Sequence, residues 1–122
     1  MWKISKEFKF DASHQLMDMP EGHPCGRLHG HTYTVIVELQ APILNHQGFV
    51  KDYGELKPIK EYIDRYLDHH HLNDILNMNP TAELIALHLF EYFKHDFPEM
   101  SAVSVKETPK TIARYEPDTN KR

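Results

Sequence analysis

The stretch His29-Gly30-His31-Thr32-Tyr33-Thr34-Val35-Ile36-Val37-Glu38-Leu39 settles how the chain begins to fold. Tyr33, Val35, Val37 and Leu39 form an apolar row at a period of two, which is the mark of a half-buried strand. His29 and His31 share the parity of that row, so both imidazoles project toward the core side and can reach one ion. Upstream, residues 2–12 alternate in the same way. Trp2, Ile4, Phe8, Phe10 and Ala12 share one parity, interrupted by Lys6; Lys3, Ser5, Glu7, Lys9 and Asp11 share the other. His14 continues the apolar parity. Between the two strands, Pro20, Gly22, Pro24 and Gly26 mark residues 16–28 as an irregular loop.

Beyond Pro42, Asn45 and Gly48 the period changes. Asp52 is placed to cap a helix, with Glu55 three residues on, Pro58 in its early turns and an apolar face of Leu56, Ile59, Ile63 and Leu67. Residues 68–79 are polar and read as a connection. Asn79-Pro80-Thr81 opens a second helix, with Pro80 at its first position, Asn79 or Thr81 as cap and a body from Glu83 to about Lys94. Short strands at 101–107 and 111–116 flank Thr108-Pro109-Lys110, and the tail from Pro117 to Arg122 reads as polar and frayed. The expected order is β-β-α-α-β-β, an α+β class, with residues 1–122 in one domain.

With 122 residues, 40% of them hydrophobic and 26% charged, the chain has the composition of a soluble globular protein. The net charge of −4 argues against a broad nucleic-acid surface, which needs clustered Lys and Arg. No apolar run is long enough for a bilayer, and the first residues lack the apolar block of a secretory signal. Cys25 is the only cysteine, so no internal disulfide forms, and a cytoplasmic setting is the expectation.

The ten histidines are the unusual component. His14, His29 and His31, facing inward from two strands, suit a three-ligand metal site with one position open for substrate. Imidazole ligands favour Zn2+, while copper, iron and nickel fit the same ligand type. His46, His88 and His95 read as solvated surface residues, and His70 and His71 as solvated or capping ones. Cys25, four residues before His29 and two before Arg27, is placed for thiolate chemistry as base or nucleophile. Asp68 stands beside His69, a pairing that can orient an imidazole. Val103, Val105 and Glu107 share one parity, so the Glu107 carboxylate either extends the apolar row inward, where it needs a partner, or lies past the strand end in water.

Cys25-Gly26-Arg27-Leu28-His29-Gly30-His31 resembles the Cys-x-x-x-His-Gly-His motif of the 6-pyruvoyl-tetrahydropterin synthase family, and especially its bacterial branch that forms 6-carboxy-5,6,7,8-tetrahydropterin for queuosine synthesis. Phe10 to His14, Leu67 to His70 with Asn73-Asp74, Asn79 to Glu83, and Val105 to Thr108 with Tyr115 agree in order. The resemblance implies a tunnelling fold, a four-stranded antiparallel sheet with two helices on one face, and subunits joined edge to edge as a homohexamer built of two trimers, with active sites between subunits. It implies a lyase that takes a pterin triphosphate, 7,8-dihydroneopterin triphosphate, with Zn2+ on His14, His29 and His31. Cys25 would be the proton-abstracting base, and His69, oriented by Asp68, its acid/base partner. Glu107 would anchor the pterin N–H groups. Thr81 and Glu83 would line the pocket, and Arg27 would meet the triphosphate.

Overall fold

The computed structural model describes residues 1–118. Five strands form one sheet: β1 (Trp2–His14), β2 (His29–Ala41), β3 (His70–His71), β4 (Met100–Lys106) and β5 (Ala113–Tyr115). Their order across the sheet is β3-β1-β2-β4-β5. The α+β class and the two long antiparallel strands match the sequence reading. The strand number does not, because β3 adds a fifth strand and pairs parallel to β1 through Ala12 and Ser13. A two-residue strand has no period, and its partner lies far away in sequence. The segment 68–79, expected as a plain connection, therefore carries this strand and a helical turn, α2 (Leu72–Ile75).

The long pair is in unbroken register from Trp2 opposite Ala41 to His14 opposite His29. Its inward row is buried from Phe8 through Phe10, Ala12 and His14 on β1, and from Tyr33 through Leu39 on β2. Trp2, expected inward, is 57% exposed; it stands in the first position of β1, opposite Ala41 at the last position of β2.

The helices cover that inner face. Asp52 caps the first segment as expected, accepting from the Gly54 amide at 2.9 Å. This segment starts as a 3-10 turn (Tyr53–Leu56), becomes α1 (Lys57–Tyr62) and ends in a π turn (Ile63–Leu67). The wider final turn keeps Leu56, Ile59, Ile63 and Leu67 all buried in the core. The helix α3 (Ala82–Phe93) begins after Thr81, whose hydroxyl accepts from the Leu84 amide at 3.1 Å. Pro80 thus precedes the cap rather than occupying the first helical position, and its carbonyl is left free to point at the sheet. Ile85, Leu89, Phe90 and Phe93 of α3 join the sheet residues in one continuous apolar cluster. Of the tail expected to fray, residues 119–122 lie outside the described residues.

His88 departs from expectation. It is half-buried on α3, its Nε2 is 2.8 Å from the Tyr62 hydroxyl, and burial lowers its pKa. It is a satisfied histidine between packed helices, whereas His46 and His95 are exposed as expected.

Candidate active site

The register of β1 and β2 builds the histidine trio. His14 stands directly opposite His29, and His31 faces the small Ala12. The three rings meet edge to face, with centroids 4.5 to 5.0 Å apart, and one nitrogen from each lies within 4.8 Å of the other two. His14 is fully buried and the other two are half-buried.

Two of the rings have a settled tautomer. His14 Nδ1 is 2.8 Å from the Pro80 carbonyl, and His29 Nδ1 is 2.6 Å from the Arg27 carbonyl. A carbonyl only accepts, so each Nδ1 carries the proton, and in its neutral form each ring turns a bare lone pair inward from Nε2. These two Nε2 atoms are 2.9 Å apart. Two lone pairs cannot hydrogen-bond to each other, and a shared cation resolves their opposition. The Nε2 of His31 is buried with no hydrogen-bond partner among the described residues. The arrangement could therefore hold a metal ion, with outer partners that orient the ligands as metal-bound histidines require.

The electrostatics agree. Burial lowers the pKa of His14 and of His31, which keeps both rings in the neutral, ligating form; the Glu107 carboxylate pulls the other way on each. Burial, and then Glu107, push the Tyr33 hydroxyl well above the ordinary phenol range. Glu107 sits one residue past the end of β4 and is half-buried, yet its charge acts on His14, His31 and Tyr33 together.

Asp68 and His69 occupy the rim. The Asp11 amide donates to Asp68 Oδ1 at 2.9 Å, and the His69 amide donates to the Asp11 carbonyl at 2.6 Å. This double tie holds His69 in a left-handed conformation, φ 58°, uncommon for a residue with a side chain. The ring itself is exposed, with Nε2 3.8 Å from Asp68 Oδ1. A shallow concavity of about 570 Å³ has His69, Asp11, Ser13, Gly30, His31 and Thr32 in its lining. His70 and His71, read as solvated or capping, serve the sheet edge: His71 Nδ1 meets the Ser13 hydroxyl at 2.9 Å, and His70 Nδ1 meets the Asp68 carbonyl at 2.8 Å.

Cys25 lies half-buried in a 3-10 turn (Pro24–Gly26), and its carbonyl accepts from Leu16 at 3.0 Å. Its thiol is outside the set of donor atoms that meet at the trio. Arg27 lines a cleft of about 520 Å³ formed by the same loop. The Thr81 hydroxyl is occupied as a helix cap, and Glu83 is exposed in the first turn of α3.

Two asparagines have a role that the sequence reading did not assign them. Asn73 accepts from the Gln15 amide and donates to its carbonyl, both at 2.8 Å. Asn79 accepts from the Met17 amide at 2.8 Å and donates to the Met17 carbonyl at 3.4 Å. Each side chain imitates a strand partner for alternate residues just past β1. Together they fix the path of the loop that carries Cys25. Asn73-Asp74 and Asn79 were visible as polar positions, but no local pattern reports a partner 58 or 62 residues away.

Comparison with known proteins accords with this geometry. The family model described as 6-pyruvoyl tetrahydropterin synthase matches residues 3–118. The 6-carboxy-5,6,7,8-tetrahydropterin synthase of Synechocystis sp. is 38% identical, with 94% of this chain and 93% of that protein covered. That of Haemophilus influenzae is 33% identical over 95% of this chain and 99% of its own length. The dihydroneopterin monophosphate aldolase of Pyrococcus furiosus is 35% identical over 79% and 78%. Among solved structures, Caenorhabditis elegans 6-pyruvoyl tetrahydropterin synthase superposes with a TM-score of 0.84 at 24% identity, covering 96% of each chain, which speaks to the fold. By its sequence over nearly the whole described chain, this protein belongs to the 6-pyruvoyl tetrahydropterin synthase family.

Proposed function

We propose that this chain is a zinc-dependent 6-carboxy-5,6,7,8-tetrahydropterin synthase, converting 7,8-dihydroneopterin triphosphate with loss of acetaldehyde and triphosphate, in queuosine synthesis. The observation that carries the reading is the trio, with two Nε2 lone pairs 2.9 Å apart, both Nδ1 atoms tied to carbonyls and the His31 Nε2 unpartnered. Tetrahedral zinc, with Zn–N bonds of ~2.0–2.1 Å, separates its nitrogens by ~3.3 Å, a few tenths of an ångström more than this pair, so the donor set fits with a small outward turn of either ring. Three neutral imidazoles leave a fourth position for a substrate oxygen. When bound there, zinc supplies Lewis acidity that makes the side-chain hydroxyl protons and the neighbouring C–H more acidic.

The remaining work falls to this chain's own groups. Glu107 accepts from the amino and ring N–H groups of the pterin, which orients the side chain over the trio. Cys25, as thiolate, removes a proton from the activated side chain. His69, steered by Asp68, returns one elsewhere on the framework; acid and base on opposite sides permit an internal redox shift without a nicotinamide or flavin. Arg27 faces the cleft where an anionic tail can lie, while Thr81 and Glu83 form the nearby end of α3. The edges of the sheet, β3 and β5, leave unpaired strand groups that edge-to-edge assembly into a homohexamer would cover. Among the described residues no helix is long and apolar enough to cross a membrane, in keeping with a cytoplasmic enzyme.

The test is product identification by mass spectrometry after incubation with dihydroneopterin triphosphate, with and without chelator. The expected result is the 6-carboxy product with acetaldehyde, abolished by chelator and restored by zinc. Pyruvoyl product without acetaldehyde would place the chain in the other synthase branch. Preferential cleavage of the monophosphate would place it with the aldolase relative. Binding of zinc without turnover of either substrate would leave a non-catalytic zinc protein.

A further inference from the structure

The Tyr33 side chain is fully buried, and its hydroxyl has no hydrogen-bond partner among the described residues. Its ring is held firmly. Tyr33 stands opposite Phe10 across the long strand pair, and the two rings stack at 4.8 Å with planes 9° apart. A phenylalanine would satisfy that packing equally well, without an orphaned O–H. Buried tyrosine hydroxyls ordinarily find a partner, because leaving one unpaired costs the full loss of its hydration.

The surroundings indicate where the partner belongs. The Tyr33 ring stands edge to face against His31, centroids 5.5 Å apart, and against His14, at 5.9 Å. The other buried, unpartnered polar atom nearby is the His31 Nε2, on the same strand face two residues before it. Two orphaned buried polar atoms thus adjoin the same trio, one a lone pair and one a donor. A cation answers the first; an oxygen held by that cation answers the second.

We propose that the Tyr33 hydroxyl is a positioning group of the metal centre, donating a hydrogen bond to the oxygen, from water or a substrate hydroxyl, that fills the position left open by His14, His29 and His31. The inference rests on the metal reading given above and goes beyond it in naming a group outside the ligand set that orients the fourth ligand. Loss of an outer partner typically costs about 10–100-fold in metal affinity or activity.

The experiment compares wild type and Tyr33→Phe by three measurements that do not depend on turnover. These are thermal melting of the metal-free protein, zinc affinity by chelator competition, and the visible absorption spectrum of the Co2+-substituted protein. The metal-free variant should melt at or above the wild-type temperature, since it loses only an unpaired buried hydroxyl. Its zinc affinity should fall about tenfold or more, and its Co2+ spectrum should change in band position or intensity. A destabilised metal-free variant with unchanged zinc affinity would show that the hydroxyl serves the fold, and would overturn the proposal. Unchanged affinity and spectrum with weakened binding of a pterin would assign it to the Glu107 side of the site, and would overturn it equally. Wild-type protein that takes up no zinc would sink the metal reading itself, a result separable from either.

Discussion

Two groups of metal-ligating side chains lie at the same end of the sheet, and they differ in everything but spacing. His14, His29 and His31 bring their donor atoms within 4.8 Å of one another, and so do Asp11, Asp68 and His69. The first group is buried or half-buried; His14 and His29 have their outer nitrogens tied to carbonyls and their inner nitrogens facing each other. The second is largely exposed, and its carboxylates are already engaged: Asp68 accepts from the Asp11 amide, and Asp11 accepts from the Thr32 hydroxyl at 2.5 Å. Proximity alone therefore does not make a metal site. What distinguishes the trio is unpaired lone pairs in a dry place, with tautomers set by outer partners. The rim group has water at hand and a ring free to move, which suits proton transfer.

The sharpest way to break this comparison is to remove one member of each group. His29→Ala should abolish stoichiometric zinc binding, read by elemental analysis after dialysis, and turnover with it. His69→Ala should keep one zinc per chain and the wild-type melting temperature while lowering turnover by about 10²–10⁴-fold, the range for a lost general acid or base. Zinc loss from the His69 variant would mean that the two groups act as one centre. Cys25→Ala should resemble His69→Ala, with zinc retained and turnover lost.

A smaller effect is expected at the clamp that holds the Cys25 loop. Asn73→Ala removes both hydrogen bonds to Gln15 and should cost about 1–3 kcal/mol of stability, measured by denaturant unfolding. It should also raise the rate at which a thiol reagent modifies Cys25. An unchanged labelling rate would show that Asn79 alone fixes the loop.

The smallest effect sharpens the contrast from a third histidine. His88 is half-buried like two of the trio, but its Nε2 is paired with the Tyr62 hydroxyl. Burial depresses its pKa in the folded state, so the unfolded chain takes up the proton first. The stability it contributes is present above the ordinary histidine pKa of about 6.5 and is lost as pH falls through the depressed value. Melting temperatures from pH 7 to pH 5 should fall less steeply in His88→Gln. A slope identical to wild type would mean that the ring is not held neutral by its site.

Much of this was legible in the order of residues. The parity of His14, His29 and His31, the alternation of the long strands and the placement of Asp52 as a cap all follow from the geometry of one element at a time. An element's period is set by its own backbone, so a single sequence reports it. Glu107 shares the parity of Val103 and Val105, but that β4 ends one residue before it, and that its charge acts on Tyr33, was not legible.

Other features depended on what the chain meets after it folds. Trp2 has the parity of the core and lies exposed, because parity fixes the side a residue faces and not what packs over it. His88 has the composition of a surface residue and is paired, because α1 brings Tyr62 against it. The strand at His70–His71, the Pro80 carbonyl that sets the His14 tautomer, and the asparagine clamps all join partners distant in sequence. Such pairings leave no trace in local spacing, since they are chosen by the packing of the whole sheet against its helices. The residue order thus determined which side chains face inward and which chemistry they could perform. The tertiary structure decided which of them are dry, which are already satisfied, and which remain open for a ligand, because desolvation and long-range hydrogen bonding exist only once distant segments are in contact.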